Sequence, residues 1–116
     1  MKKAFLLTVF MVGIFAVIPL TGHAATVQQL LTKNGCMPCH AINGKGGSFG
    51  PDLSHIGRIR SYAWLRRQIK DPALNFYTPN SFGIFQGKIY KATMPAYKKL
   101  SKNDLDRMAK YFASLK

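Results

Sequence analysis

The sequence predicts an all-α domain of three to four short helices, the first and last packed on each other, and three observations carry that prediction. Apolar residues recur at helical spacing in three windows, 27–34, 61–70 and 101–116, two of which open on a serine suited to cap a helix. No β-α-β pattern is visible between them. The pentad Cys36-Met37-Pro38-Cys39-His40 supplies a centre for these helices to close around.

Two thiols three positions apart, with a histidine directly after the second, form the attachment sequence of a c-type haem. The spacing lets both thiols reach the two vinyl groups on one edge of a porphyrin while the following imidazole turns onto the iron. Cys36 and Cys39 are therefore expected to carry thioether bonds to one covalent haem c, with His40 as its proximal ligand. Two other chemistries use Cys-x-x-Cys. A thiol oxidoreductase, in which proline at the third position is common, belongs in a βαβ frame. A structural zinc site needs two more ligands, and outside the pentad the chain offers no cysteine and only His23 and His55.

At the start of the chain, Met1-Lys2-Lys3 precedes an almost continuous apolar run from Ala4 to Leu20, and Gly22-His23-Ala24 then gives small residues at the −3 and −1 positions of a cleavage site. Residues 1–24 read as a secretory signal peptide and residues 25–116 as one small mature domain. An uncleaved anchor is the alternative, because the apolar run nearly suffices to span a bilayer. Export to the bacterial periplasm fits the haem and argues against nucleic acid as a partner. The chain carries 17 Lys+Arg against four Asp and no Glu, a net charge of +13. Losing Lys2 and Lys3 leaves about +11 to face solvent or an acidic partner.

Val27, Leu30 and Leu31 form one face of a short helix that Gly35 ends or kinks just before the pentad. The segment 44–53 is glycine-rich and able to approach a porphyrin closely. Within it Pro51 offers a carbonyl for the second ring nitrogen of His40, the kind of acceptor that fixes a metal-bound histidine; a plain turn proline is the competing role. Ser61 caps a helix to about Lys70, stopped by Asp71-Pro72, with Trp64, Leu65, Gln68 and Ile69 on one side. Trp64 is a core residue by position and a cofactor-binding candidate through its indole N–H, directed at a haem propionate. Arg58 and Arg60 are further propionate candidates or simply solvated charges.

Residues 73–93 combine turn formers with Phe76, Tyr77, Phe82, Phe85 and Tyr90, which suit a haem wall, and Gln86-Gly87 allows a short hairpin there although it is not a favoured turn pair. In Thr93-Met94-Pro95, Pro95 disfavours the helical conformation at Met94, so the thioether can project from an extended strap as the sixth ligand. The rivals are His55, fifteen residues after His40, Met37 inside the attachment loop, and Met108 on an apolar helix stripe. Ser101 with Asp104 at the third helical position opens the last helix, whose stripe is Leu105, Met108, Ala109, Phe112 and Leu115.

Over nearly the whole mature sequence the chain resembles the small class I cytochromes c. The likeness is carried by Lys33-Asn34-Gly35 before Cys36-x-x-Cys39-His40-Ala41-Ile42, by Gly50-Pro51, by Met94-Pro95, and by the final helix from Met108 to Lys116. The resemblance implies that Cys36 and Cys39 bind haem, that His40 and Met94 coordinate iron, that the Pro51 carbonyl orients His40, and that the terminal helices cross. The stretch from Ala73 to Thr93 departs from the family's compact members, which are shorter here.

The expected function is one-electron transfer by Fe(II)/Fe(III) cycling in the periplasm, without substrate chemistry, since His/Met ligation closes both axial positions. The alternatives are a haem-bearing subunit of a respiratory or sulfur-oxidising complex, a peroxidase whose methionine detaches, and a thiol oxidoreductase. The carrier reading implies a monomer outside any complex, docking transiently on acidic redox proteins, with an anionic membrane surface as a further target. Lys33, Lys45, Lys91, Lys98 and Lys99 flank the two ligand segments and are expected to ring the haem edge.

Overall fold

A computed structural model describes residues 22–75 and 83–116. The N-terminal apolar run, read above as part of a signal peptide, lies outside these residues, as do Phe76, Tyr77 and Phe82 of the expected haem wall. No helix among the described residues is long and apolar enough to cross a membrane.

Helix α1 (Val27–Lys33) starts on a reciprocal box: Gln29 N–H donates to Thr26 Oγ1 at 3.2 Å, and Thr26 N–H donates to Gln29 Oε1 at 2.8 Å. It stops at Asn34 because Gly35 turns to φ +65°, a conformation glycine adopts without strain. The pentad follows as a tight turn in which Cys39 and His40 N–H both donate to Cys36 O.

Strands β1 (Ala41–Ile42) and β2 (Lys45–Gly46) pair antiparallel across Asn43-Gly44, both at positive φ. A 3-10 turn at Ile56–Arg58 leads to α2 (Tyr62–Lys70), which Ser61 caps by accepting from Trp64 N–H and Asp71 ends. After a second 3-10 turn, Pro72–Asn75, strands β3 (Gly83–Phe85) and β4 (Lys88–Tyr90) form another hairpin, with Ile84 opposite Ile89. Helix α3 (Lys102–Ser114) closes the domain from its Ser101 cap. The two small ribbons add to the helical class expected from sequence. Each exists because a residue followed by glycine accepts the left-handed backbone that a two-residue turn needs.

The core is assembled on α3, which touches both α1 and α2. Met108 and Ala109 are completely buried, and Leu105 and Phe112 continue the stripe. Leu30 and Leu31 meet it from α1, Leu65 and Ile69 from α2, Ile42 from β1 and Ile56 from the first 3-10 turn. Among the described residues these side chains contribute about 1.5–3 kcal/mol each, and a domain of this size has little core to spare. Asp106 clamps α3 to α2: its carboxylate accepts from Arg66 Nε at 2.6 Å, Tyr62 Oη at 3.1 Å and Lys102 Nζ at 3.0 Å. The end of α3 is tied to the 3-10 turn by Gly57 N–H, which donates to Leu115 O at 2.8 Å, and by the His55 ring, which donates to Lys116 O at 2.9 Å.

Candidate functional site

One largely apolar cavity gathers nearly every residue singled out by the sequence. Cys36, Cys39, His40, Pro51, Trp64 and Met94 all line it. The pentad and the loop through Pro51 supply one part of its wall, α2 another, the β3–β4 hairpin and the strap around Met94 the remainder.

His40 is held from behind. Pro51 has only a carbonyl to offer, so His40 Nδ1 must be the protonated nitrogen, donating to it at 2.7 Å. Burial pushes the imidazole toward the neutral form, opposed in part by that carbonyl. A neutral ring with its proton on Nδ1 leaves Nε2 as the lone-pair atom, the state a metal ligand requires. The glycine at position 50 is dictated by this ring: a Cβ there would sit 2.6 Å from His40 Cε1. The loop is drawn onto the pentad by Gly50 N–H donating to Cys39 O at 2.7 Å and Gly47 N–H donating to Met37 O at 2.8 Å.

Cys36 and Cys39 form no disulfide. Burial, followed by the neighbouring Cys39, raises the Cys36 thiol above its ordinary value. A dithiol redox centre needs the opposite, a thiol held low so that thiolate is populated. Among the described residues no three His, Cys, Asp or Glu side chains come together as a metal cluster, so zinc gains no support either.

Met94 lies on the extended strap before Pro95, and the side-chain amide of Gln68 donates to its sulfur at 3.5 Å. Two further bonds fix the strap: Tyr97 N–H donates to Ile69 O at 3.2 Å and Tyr97 Oη–H donates to Asn34 O at 2.6 Å. The rivals are elsewhere. Met108 is sealed in the core, Met37 packs against the core without lining the cavity, and His55 is exposed and engaged with the chain end.

Arg60 and Arg58 separate: Arg60 lines the cavity and Arg58 faces solvent. The Arg60 guanidinium lies 4.7 Å from the centroid of Trp64 and 5.5 Å from that of Phe85, and its Nε is buried with no hydrogen-bond partner. An unpaired buried donor in an otherwise apolar cavity suits a group that is apolar in body and carries carboxylates. A haem with its propionates is such a group, so the residues present fit it. Gln68 was noted in the sequence only as part of a helix face. Its signal is a polar side chain at helical spacing within the apolar stripe of Trp64, Leu65 and Ile69.

None of the lysines expected at the haem edge lines this cavity. Lys33, Lys98 and Lys99 gather instead on a second groove beside the strap. The reason is local: Lys33 ends α1, and Lys98 and Lys99 follow the turn at Tyr97 that swings the chain away from Met94 toward α3.

A small helical domain whose pentad, histidine and methionine share one apolar cavity defines a covalent haem-binding module. The chain belongs to the cytochrome c family, whose model matches residues 24–116. The family binds haem c covalently, and Cys36-x-x-Cys39-His40 is its attachment motif. The chain is also similar to cytochrome c oxidase subunit 2 of Alkalihalophilus pseudofirmus, 29% identical over 89 residues, which is 77% of this chain and 25% of that protein. It thus spans about a quarter of the length of this curated relative. No solved structure matches the chain.

Proposed function

We propose that the protein is an exported, monohaem one-electron carrier working in the periplasm, with His40 and Met94 as the axial pair. One observation carries this reading: His40 and Met94 line the same apolar cavity as both thiols, each secured by a partner of its own, the Pro51 carbonyl and the Gln68 amide. The haem, when bound, supplies the Fe(II)/Fe(III) couple. Cys36 and Cys39 would hold it covalently, and Arg60, with Trp64 beside it, would meet its carboxylates. A thioether favours ferrous iron and raises the potential. With His40 and Met94 both as ligands, the iron would have no place for oxygen or peroxide, which disfavours peroxidase chemistry.

The ferric spectrum tests the ligand pair. Wild-type protein should show the near-infrared band of thioether bonded to ferric iron, and Met94→Ala should lose it and lower the potential. Met108→Ala should keep the band while costing about 2–5 kcal/mol of stability, because it opens a cavity in the core. The reverse pattern would sink the assignment.

A second reading, a haem domain within a terminal oxidase or another respiratory complex, is favoured by the likeness to an oxidase subunit 2. Purification from the native host separates the two. A carrier elutes as a free monomer, whereas a complex component co-purifies with its parent subunits.

A further inference from the structure

Arg60 precedes the Ser61 cap of α2, its backbone N–H donating to Ile56 O at 2.9 Å. Its guanidinium lies 4.7 Å from the Trp64 centroid and 5.5 Å from that of Phe85, both within the reach of about 6 Å at which an aromatic face attracts a cation. Trp64 is a near neighbour in sequence. Phe85 comes from β3, within the stretch from Ala73 to Thr93 that sets the chain apart from compact cytochromes c. Alternation along the strand puts Phe85 on the face opposite the Ile84–Ile89 pair. That pair is exposed, whereas Phe85 packs against the core.

The polypeptide offers Arg60 no counter-ion. It has four aspartates and no glutamate. Asp106 is taken by Arg66 and Lys102, Asp71 by Lys98, Asp104 by Arg107, and Asp52 accepts from Ser54 N–H. The guanidinium is therefore met by rings alone, with its buried Nε–H still unpaired in the cavity wall. Such an arrangement calls for a carboxylate from outside the chain.

We infer that Phe85 is a positioning residue for the haem: together with Trp64 it holds the Arg60 guanidinium in place, keeping water from the charge so that its Nε–H is free for a carboxylate of the cofactor. Ordering a long side chain costs entropy, which the two ring contacts offset. Excluding water strengthens the ion pair that results. The β3–β4 hairpin thus acts on the haem through Arg60. This inference rests on the reading in which Arg60 meets the haem carboxylates.

The test follows those carboxylates by carbon-13 NMR in ferrous protein carrying carboxyl-labelled haem, titrated with acid. Arg60→Gln should raise the proton affinity of a carboxylate about tenfold, one pH unit. Phe85→Leu keeps the apolar bulk of the hairpin and removes the ring face, and should raise it about threefold. Phe85→Tyr, which retains a ring, should titrate as wild type, as should Ile89→Ala on the exposed face. In the Arg60→Gln background Phe85→Leu should add nothing, because the ring acts through the cation. A wild-type titration in Phe85→Leu, an equal shift with and without Arg60, or the same shift in Phe85→Tyr would each overturn the inference. An unchanged titration in Arg60→Gln would instead sink the reading beneath it. The near-infrared band of the ferric protein reports Met94 ligation independently of all these variants.

Discussion

The Gln68 side-chain amide donates to the Met94 sulfur at 3.5 Å, so the middle of α2 holds the strap on which the proposed sixth ligand rides. The donor withdraws electron density from the thioether and makes it a poorer ligand to ferric iron. Gln68→Leu, similar in size and unable to donate, should therefore stabilise the ferric state and lower the reduction potential. A neutral hydrogen bond worth about 0.5–1.5 kcal/mol sets the scale at roughly 20–60 mV at most. Voltammetry of the variant measures the shift, and an unchanged or higher potential would exclude the tuning role.

Gly50 sits against the His40 ring, with a Cβ there predicted at 2.6 Å from Cε1 and 2.9 Å from Nδ1. Gly50→Ala should push the imidazole off the Pro51 carbonyl and perturb the ferric spectrum, at about 1–3 kcal/mol in stability from overpacking. Gly44→Ala is the informative contrast. A Cβ there meets nothing within 4 Å but the backbone stands at φ +79°, so the cost of about 1–2 kcal/mol should leave the haem spectrum intact.

The helices were legible in the sequence because each carries its own local signals. Ser61 and Ser101 cap where expected, Gly35 and Asp71 stop where expected, and the stripe from Leu105 to Phe112 is the buried face of α3, whereas the Thr26 cap of α1 appears only in the structure. The β1–β2 ribbon was equally written in Asn43-Gly44, a favoured hairpin pair, yet the surrounding glycines read as a loop. The β3–β4 ribbon is the hairpin anticipated at Gln86-Gly87, even though Gln86 at φ +50° is an unusual turn residue that packing around it must support. Of the site, the pentad and Met94 are short-range motifs. The pairings Gln68 with Met94 and Arg60 with Phe85 are not, because they join segments far apart in the chain that only the closed fold brings together. The lysines show the same limit. Sequence proximity to Met94 set Lys98 and Lys99 around the expected haem edge, and the turn after Tyr97, which the sequence did not reveal, puts them on a neighbouring groove.

Asp106 predicts an acid-sensitive link between α2 and α3. The Arg66 guanidinium, with Lys102 and the Tyr62 hydroxyl, holds its carboxyl well below the usual carboxylate range. A carboxyl whose folded-state value is depressed contributes stability that is present above its unfolded value, near 3.9, and is lost as pH falls below that point. Melting temperature should therefore drop as the solution is acidified through and below about pH 4, and Asp106→Asn should flatten that limb while lowering stability at neutral pH. An identical acid limb in the variant would assign the sensitivity to other groups.

Attachment through Cys36 and Cys39 makes the strongest demand on the chain, because a thioether survives denaturation and coordination does not. The denatured polypeptide should stain for haem peroxidase activity, and the double substitution Cys36→Ser, Cys39→Ser should abolish the stain. Either single serine should leave one thioether and a weaker, still positive, band. The double variant should also be mostly unfolded by circular dichroism. The cavity draws apolar side chains from α2, α3, the strap, the β3–β4 hairpin and the loop from Phe49 to Leu53, including Leu65, Ile69 and Phe112 of the core itself. A domain of this size has few other large side chains to replace what a bound porphyrin contributes, and a ligand that binds only the folded state stabilises it by mass action. A double variant that stained, or that stayed fully folded without haem, would mean that the pentad does other work.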